Sequence, residues 1–264
     1  MHHHIHSSTP GPIHYWVGRN KAAPAIVFLH GATMDSETFD AQIAHFARDY
    51  RILVWDAPGH GRSQPLHGRF TIGAATSELI AILDKEDITR AVFVGQSMGG
   101  LIAQFVLRLR PDLVAGIVAI GSPFGARSRS IIDKVGMLAS RIILRLIPAR
   151  MLYRLIGRGI SADPAVQAYG EQAAAKIPKE QAVRIWEAVL EGLVPDARER
   201  FDVPILVTHG ENDNIGTVKA DAAAWAARDA KASLSKIERA GHVANQDQPD
   251  AFNALLGKFL RETF

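Results

Sequence analysis

Short segments rich in aliphatic and aromatic residues recur along most of the chain, and segments with helical periodicity lie between them. Val92, Phe93 and Val94 form an uncharged β-branched and aromatic run, which is typical of a strand buried on both faces of a parallel sheet. Leu79 and Ile82, by contrast, recur at the spacing of one helix face. The segments that we expect to be strands are 13–17, 25–29, 51–55, 91–94 and 116–120, and two further segments, 204–213 and 232–242, each read as a strand that runs into a loop. This alternation predicts an α/β fold with a mostly parallel, doubly wound sheet that has helices on both faces.

The connections between these segments contain residues that begin or end regular structure. Segments 13–17 and 25–29 are joined by a short stretch that starts with glycine and ends with proline, and we expect them to form a hairpin. Ser36 and Thr71 can accept hydrogen bonds from the first turns of the helices that follow, so each is a candidate N-cap. The last helix is predicted at 249–263.

The alternation stops near the middle of the chain. From 124 to 201 no segment has the pattern of a strand, and apolar residues such as Leu138 and Ile142 recur at helical spacing. We therefore expect 124–201 to be a helical insertion between two parts of one core, 13–123 and 202–264.

Composition excludes several kinds of chemistry. The chain has 264 residues, 47% hydrophobic and 22% charged, as is ordinary for a globular protein, and its formal net charge of +3 favours no nucleic-acid partner. Cysteine is absent, which excludes disulfides, thiolate metal ligands and cysteine nucleophiles. No uncharged apolar run reaches the roughly 18 residues of a membrane span. The default expectation is therefore a soluble, cytoplasmic protein.

The first residues are unusually rich in histidine. They begin Met-His-His-His-Ile-His-Ser-Ser, which lacks the apolar centre of a signal peptide and is typical of a purification tag. We expect residues 1–12 to be disordered and to lie outside the fold, without a biological metal site.

Ser97 is the first candidate for chemistry. Gly95 and Gly99 flank it as Gly-x-Ser-x-Gly, between an apolar strand and a helix-forming run. A side chain at either glycine would collide with the neighbouring strand or helix as the backbone doubles back. The N–H of Met98 would lie at a helix N-terminus, where unpaired donors favour developing negative charge. The pattern indicates a serine nucleophile with one oxyanion donor; the alternative is an ordinary tight turn.

A serine hydroxyl is a weak nucleophile unless a base and an orienting carboxylate assist it. Asp213 lies in the loop that ends the segment 204–213, and His242 lies in the loop that ends the segment 232–242. The chain order of serine, aspartate and histidine is the order of the α/β-hydrolases rather than that of chymotrypsin-like or subtilisin-like proteases.

At these residues the sequence resembles the α/β-hydrolase superfamily. His30-Gly31 ends one predicted strand, as in the oxyanion loop of that family, and 56–63 reads Asp-Ala-Pro-Gly-His-Gly-Arg-Ser, which matches its D-x-P-G-x-G-x-S turn. The resemblance extends from about residue 13 to the last helix. It implies the α/β-hydrolase fold with a helical cap at 124–201, and a second oxyanion donor at the backbone N–H of Ala32.

Other histidines and acids compete with these assignments. His30, His60 and His209 also follow predicted strands, and we expect them to be hydrogen-bonded scaffold. We expect Glu211 to be a surface acid and Asp247 to cap the last helix. Asp213 is therefore the carboxylate that should fix the imidazole of His242.

The predicted cap contains a basic segment. Binding to a membrane surface or attraction of an anionic substrate is one interpretation, but a solvated cap face is commoner, and we favour it. Its basic residues are Arg127, Arg129, Lys134, Arg141, Arg145, Arg150, Arg154 and Arg158. Phe124, Tyr153 and Trp186 are candidates to line a substrate pocket, although each could equally hold the cap together.

These residues favour one reaction class. A serine at the elbow disfavours epoxide or carbon–halogen chemistry, for which relatives use aspartate, so we expect a small-molecule ester or lactone to be hydrolysed through an acyl-serine. A carbon–carbon bond hydrolase, an acyltransferase, a perhydrolase and a slow-turnover ligand receptor remain alternatives on the same scaffold. No cofactor and no metal is expected.

Overall fold

Eight strands form one sheet in the computed structural model, which describes residues 1–194, 196 and 200–264. The strands are β1 (His2–Ser8), β2 (Gly11–Val17), β3 (Ala25–Leu29), β4 (Arg51–Trp55), β5 (Ala91–Gln96), β6 (Val114–Ile120), β7 (Ile205–Gly210) and β8 (Ala232–Ile237). Their order across the sheet is β1-β2-β4-β3-β5-β6-β7-β8. Pairing is parallel from β4 to β8, and only β1–β2 and β2–β4 are antiparallel. The predicted α/β class and mostly parallel sheet are confirmed.

Helices connect the parallel strands and follow the last of them. They are α1 (Asp40–Phe46), α2 (Ile72–Lys85), α3 (Met98–Leu109), α4 (Ile131–Leu146), α5 (Ala149–Ile160), α6 (Pro164–Ala175), α7 (Lys179–Glu191), α8 (Val218–Arg228), α9 (Ala244–Asp247) and α10 (Pro249–Thr263). Thr71 caps α2 by accepting a hydrogen bond from the N–H of Ala74, as predicted. Ser36 is not a cap, because a 3₁₀ turn, Ser36–Phe39, precedes α1 and Asp35 caps that turn. None of the described helices is long and apolar enough to cross a membrane.

The side chains of the central strands fill two apolar cores, one on each face of the sheet. Phe93 points into the core formed with α2 and α3, while Val92 and Val94 point into the core formed with α1 and α10. Uniformly apolar strands therefore occupy the centre of the sheet, where neither face meets water.

The hairpin predicted for β2 and β3 is wrong. The strand β4 lies between them, with Tyr15 of β2 opposite Trp55 and Val27 of β3 opposite Leu53. The burial of the strands gives the reason. All five residues of β3 and of β4 are buried, whereas β2 alternates buried and half-buried positions and suits a place nearer the sheet edge.

The prediction that residues 1–12 are disordered is also wrong. The strand β1 pairs with β2 along its whole length, from His2 opposite Val17 to Ser8 opposite Gly11. Backbone hydrogen bonds make this ladder, so a histidine-rich sequence can join it at the sheet edge. The side chains add contacts: Nε2 of His6 lies 3.1 Å from a carboxylate oxygen of Glu78 on α2.

Four helices, α4 to α7, lie between β6 and β7, and we call these four helices the cap. Residues 195 and 197–199 of the predicted insertion 124–201 lie outside the described residues, and the boundaries of the insertion stay a prediction. The expectation that the whole basic segment faces water is wrong for its start. Arg127 and Arg129 both pair with the fully buried Asp221 on α8.

Candidate active site

Ser97 occupies a strained turn between β5 and α3. Its φ of 50° and ψ of −112° lie outside the regions that most residues adopt, and the surrounding packing holds it there. A side chain at Gly95 would overlap the backbone of Gly99 and Gly100, and one at Gly99 would overlap the backbone of Leu29. The glycines therefore allow the close approach that puts the Ser97 hydroxyl at the carboxyl edge of the sheet.

His242 and Asp213 meet at the same edge. The Nδ1 atom of His242 lies 2.9 Å from Oδ2 of Asp213, and both side chains are buried. The other carboxylate oxygen of Asp213 accepts a hydrogen bond from the N–H of Ile215 at 3.0 Å, which fixes the orientation of the carboxylate. Since Nδ1 faces a carboxylate, that nitrogen carries the proton and Nε2 is left as an acceptor.

The competing histidines have other hydrogen-bond partners. Nε2 of His30 accepts from the N–H of Ala57, and its Nδ1 lies 2.8 Å from the carbonyl of Gly31. Burial lowers the pKa of His30, and burial together with the charge of His30 lowers the pKa of His60 to about 3. Both rings are therefore neutral near pH 7 and join the loops that follow β3 and β4.

The loop after β3 passes beside Ser97. Ala32 lies on the wall of the cavity that contains Ser97. Met98, the residue directly after Ser97, is the first residue of α3. The Met98 side chain is fully buried in the core and does not line the cavity, so only its backbone can act in the site. First-turn N–H groups have no intrahelical acceptor, which leaves the Met98 N–H available to a ligand.

A cavity of about 260 Å³ lies between this edge of the sheet and the cap. Ser97, Gln96, Ala32 and His242 form its floor. Its cap wall is mostly aliphatic and consists of Ser140, Leu144, Leu152, Leu155, Ile156, Ile160, Ala182, Val183 and Trp186. Such a lining suits an uncharged, apolar group, because an unpaired charge buried there would be costly.

A second cavity, of about 470 Å³, also reaches Ser97. It extends toward Arg129, Asp221 and the start of α8. Trp186 and Ser140 line both cavities, and Nε1 of Trp186 donates to Oγ of Ser140 at 3.0 Å. This pair bridges α4 and α7 at the division between the two spaces.

Two predicted pocket residues lie elsewhere, so those predictions are wrong. Phe124 is buried in the core, where its ring stacks on Trp225 with centroids 5.0 Å apart. The hydroxyl of Tyr153 donates to the carbonyl of Ile177 inside the cap. Neither lines the cavity, whereas Trp186 does. The spacing of apolar residues could not show which side of a cap helix lines the cavity and which side packs on its neighbours, because both sides are apolar.

The loop that carries His242 is held by residues that the sequence analysis did not assign to it. The N–H of His242 donates to the carbonyl of Ile160 at the end of α5 at 2.7 Å. Asp247 does not cap α10, whose N-cap is Gln248; it accepts hydrogen bonds from the N–H of Gly241 and from the hydroxyl of Ser161. The cap and the histidine loop are therefore linked by direct hydrogen bonds.

Gln96 and Gly121 support the site from below. Nε2 of Gln96 donates to the carbonyl of His242 at 3.2 Å. A Cβ on Gly121, whose φ is 52°, would lie 3.0 Å from Nδ1 of His242 and from Oδ2 of Asp213. The glycine that directly follows β6 was the sequence signal for this close approach.

Asp35, directly after the loop that contains Ala32, connects that loop to α6. Its carboxylate accepts hydrogen bonds from the Tyr169 hydroxyl at 2.8 Å and from Nζ of Lys176 at 2.9 Å. Burial raises the pKa of Asp35, but the hydrogen bonds from Lys176 and Tyr169 and the lysine charge outweigh burial and hold that pKa below its ordinary value.

Replacing Lys176 by methionine should destabilise the protein by about 1 to 2 kcal/mol at pH 7, since it leaves a buried carboxylate with one partner fewer. A carboxyl with a lowered folded pKa stabilises fully above its unfolded pKa, and this stabilisation is lost as pH falls through the folded pKa. The difference from wild type, measured by urea unfolding, should therefore shrink below about pH 4. Lys258→Met, at an exposed lysine of α10, is the control. A pH-independent difference would contradict the role of the Asp35 charge.

Among the described residues, no group of three or more histidine, aspartate or glutamate side chains is arranged to hold a metal ion.

A doubly wound sheet with a serine in a strained turn after β5 and a buried Asp–His pair after β7 and β8 defines an α/β hydrolase. Residues 26–255 match the model of the alpha/beta hydrolase family. The chain therefore belongs to this family.

Several relatives are similar over most of the chain. The 3-oxoadipate enol-lactonase 2 of Acinetobacter baylyi is 27% identical, with 87% of this chain and 86% of the relative covered. The bifunctional esterase/perhydrolase DCH of Acinetobacter calcoaceticus is 27% identical, with 73% and 75% covered. Among solved structures, Est816, an N-acyl homoserine lactone degrading enzyme, superposes with a TM-score of 0.83 at 26% identity, with 97% and 99% covered.

Proposed function

We propose that the protein is a serine hydrolase that cleaves a neutral carboxylic ester or lactone through an acyl-enzyme at Ser97. One observation carries the proposal: Ser97 and His242 line the same cavity, and His242 is hydrogen-bonded to the buried Asp213. This arrangement supplies a nucleophile, a base and a group that fixes the base. The esterase and lactonase names of the relatives support the reaction class.

In the first half of the reaction, the Ser97 oxygen attacks the substrate carbonyl carbon while Nε2 of His242 takes the hydroxyl proton. Asp213 stabilises the imidazolium that forms, and it keeps Nδ1 as the donor. The carbonyl oxygen becomes negative and accepts hydrogen bonds from the backbone N–H groups of Ala32 and Met98. When the tetrahedral intermediate collapses, the ester C–O bond breaks and the proton on Nε2 passes to the leaving oxygen.

In the second half, water attacks the acyl-serine. Nε2 of His242 takes a proton from this water, the second tetrahedral intermediate collapses, and the proton returns to the Ser97 oxygen. For a lactone the leaving oxygen remains part of the same molecule, so the product is one hydroxy acid. The same residues serve both substrates.

The aliphatic wall of the first cavity supports an apolar acyl group as the substrate portion. The cavity offers Leu144, Leu152 and Ile156 to a chain that leads away from Ser97. Each CH₂ group that such a chain buries contributes about 0.8 kcal/mol.

The experiment that tests the proposal is a panel of p-nitrophenyl esters from acetate to decanoate, run beside γ-lactones of matched chain length. We expect hydrolysis of both classes, with kcat/KM rising from acetate to a medium chain and then falling as the cavity is filled. Product analysis by mass spectrometry, with and without an alcohol acceptor, separates hydrolysis from acyl transfer. Absence of turnover on every member of the panel would overturn the proposal.

Shrinking Trp186 to alanine should change acyl-length preference. Because Trp186 lines both cavities and contacts Ser140, its removal joins the two spaces and should raise kcat/KM for long esters relative to acetate by about tenfold. The measurement is the ratio of kcat/KM values for decanoate and acetate. Tyr153→Phe, which removes a cap hydrogen bond away from the cavity, is the matched control. Equal effects on both esters would mean that Trp186 only holds the cap together.

A further inference from the structure

The outer side of α4 is apolar, although it faces away from the protein. Ile131, Val135, Leu138, Ile142 and Leu146 recur at the spacing of one helix face, and we call these five residues the outer stripe. Each of them is between 55% and 80% exposed, and α4 contains no buried residue. A helix that covers a protein core ordinarily turns polar residues to water. The outer stripe therefore needs a partner.

The opposite side of α4 faces the site and encloses its two cavities. Met137, Ser140 and Leu144 line the cavities that reach Ser97. The outer stripe is therefore not the core-facing side of α4, and no small rotation of the helix would bury it without loss. Turning α4 to bury the outer stripe would instead expose the residues that enclose the site.

Exposed basic side chains lie on both α4 and the helix that follows it. On α5, Arg150, Arg154 and Arg158 follow one another at four-residue intervals and are exposed, next to the exposed Met151 and Leu155. On α4, Lys134 and Arg145 are exposed at one edge of the outer stripe.

Three acidic groups on α4 and α7 already pair with basic residues outside α5, whereas Glu171 of α6 lies against Gly157 of α5. Asp133 pairs with Arg127, and Glu187 pairs with Arg145. Glu191, farther along α7, pairs with Arg69. Among the described residues, no ion pair involves the three arginines of α5 that form the basic row. The helix α4 thus presents an exposed apolar stripe, and α5, which follows it after residues 147 and 148, presents an exposed basic row.

We propose that α4 and α5 dock the protein on an anionic lipid surface, with the outer stripe in the headgroup–acyl boundary and Arg150, Arg154 and Arg158 on the lipid phosphates. Apolar residues beside a basic row are the pattern of helices that lie in the plane of a membrane interface. A second copy of this chain fits the surface less well, because a symmetric contact would bring two basic rows together.

The exposed surface of α4 and α5 reaches the two cavities of the site. Leu155 is 44% exposed and also lines the first cavity, and Ile132 is 83% exposed and also lines the second. A lipid surface that covers the outer stripe would therefore lie beside both cavities. An apolar substrate dissolved in the lipid would reach Ser97 without crossing water. The docking proposal rests on the surface of α4 and α5 and does not depend on the reaction at Ser97.

The test is co-sedimentation of the whole protein with extruded vesicles, either pure phosphatidylcholine or phosphatidylcholine with about 30% phosphatidylglycerol. We expect binding to the anionic vesicles that weakens with salt, and little binding to the neutral ones. The triple variant Arg150→Glu, Arg154→Glu, Arg158→Glu should lose at least about a hundredfold in partition, since each basic residue near the surface contributes about fivefold and each new carboxylate is repelled by the lipid phosphates.

The matched control reverses three exposed basic residues elsewhere, Arg48→Glu, Arg90→Glu and Lys258→Glu, and makes the same change in net charge. This control should keep most of the binding. A second variant, Val135→Ser with Ile142→Ser and Leu146→Ser, should lower binding about tenfold at high salt while its hydrolysis of a soluble short ester, or its unfolding midpoint, stays unchanged.

Three outcomes would overturn the proposal. One is equal binding to neutral and anionic vesicles, or to neither. Another is an equal loss in the control and in the α5 variant, which would indicate a general charge effect. The third is the absence of vesicle binding together with a concentration-dependent dimer, seen by light scattering, that dissociates in the Val135→Ser, Ile142→Ser, Leu146→Ser variant. That result would identify the outer stripe as a contact between two copies of the chain.

Discussion

Replacing Ser97 by alanine should lower kcat on a medium-chain p-nitrophenyl ester by about 10⁴- to 10⁶-fold, because loss of the nucleophile leaves only binding and the backbone donors to assist attack by water. The same substitution should prevent covalent labelling by a fluorophosphonate. Intact-mass measurement and peptide mapping give the labelled residue, and initial rates give kcat. Near-normal stability is expected, since a half-buried hydroxyl at the cavity wall is exchanged for hydrogen.

Ser140→Ala is the matched control, because Ser140 lines the same cavity and its Oγ accepts from Trp186 without a place in the strained turn. This variant should keep kcat within about tenfold of wild type and should still be labelled at Ser97. Labelling at another serine, or undiminished ester hydrolysis in Ser97→Ala, would refute the assignment of the nucleophile.

The centre of the fold and the residues at its carboxyl edge were the predictable parts. Charge-free runs such as Val92 to Val94 can be buried on both faces only in the middle of a sheet, which determines their place. The turn at Ser97 was predictable because Gly95 and Gly99 report two close backbone contacts. Asp213 and His242 follow strands β7 and β8, and parallel strands carry their carboxyl ends to one edge.

The edge of the sheet was less predictable, for physical reasons. Pairing of β1 depends on backbone hydrogen bonds, so the histidines of His2–Ser8 gave no sign of it. The position of β2 depends on whether β3 or β4 competes better for the interior, which is a comparison of whole strands rather than a local pattern.

The cap was predicted as helical, but its inner and outer sides were not distinguished. In α4 apolar residues lie both on the cavity side, as with Leu144, and on the exposed side, as with Ile142. Periodicity cannot tell which of two apolar sides faces the core. For the same reason the sequence favoured a solvated basic face and did not reveal the apolar outer stripe beside it. Only the placement of α4 over Ser97 separates the two sides.

Replacing His242 by alanine should lower kcat by about 10⁴-fold or more, because its imidazole is the base that accepts the Ser97 proton in the proposed reaction. Among the described residues that line this cavity, His242 is the only histidine. Labelling of Ser97 by a fluorophosphonate should slow in parallel with kcat, since both reactions need an activated hydroxyl. Asp213→Asn should lower kcat by a similar factor without changing the positions of the side chains, because the amide would favour the wrong tautomer of the His242 imidazole.

His209→Ala is the matched control for the base. His209 is also largely buried at the end of a strand, but its Nδ1 lies 2.9 Å from the carbonyl of Gly210 and its ring does not line the cavity. The control should lower the unfolding midpoint and leave kcat of the folded protein within about tenfold of wild type. The readout is the pair of kcat and labelling rate at a temperature where each variant is folded. If His209→Ala lost both kcat and labelling while His242→Ala kept them, the assigned base would be wrong. If kcat and labelling fell in parallel in His242→Ala alone, the His242 imidazole would be shown to activate Ser97 rather than only to pack its own loop.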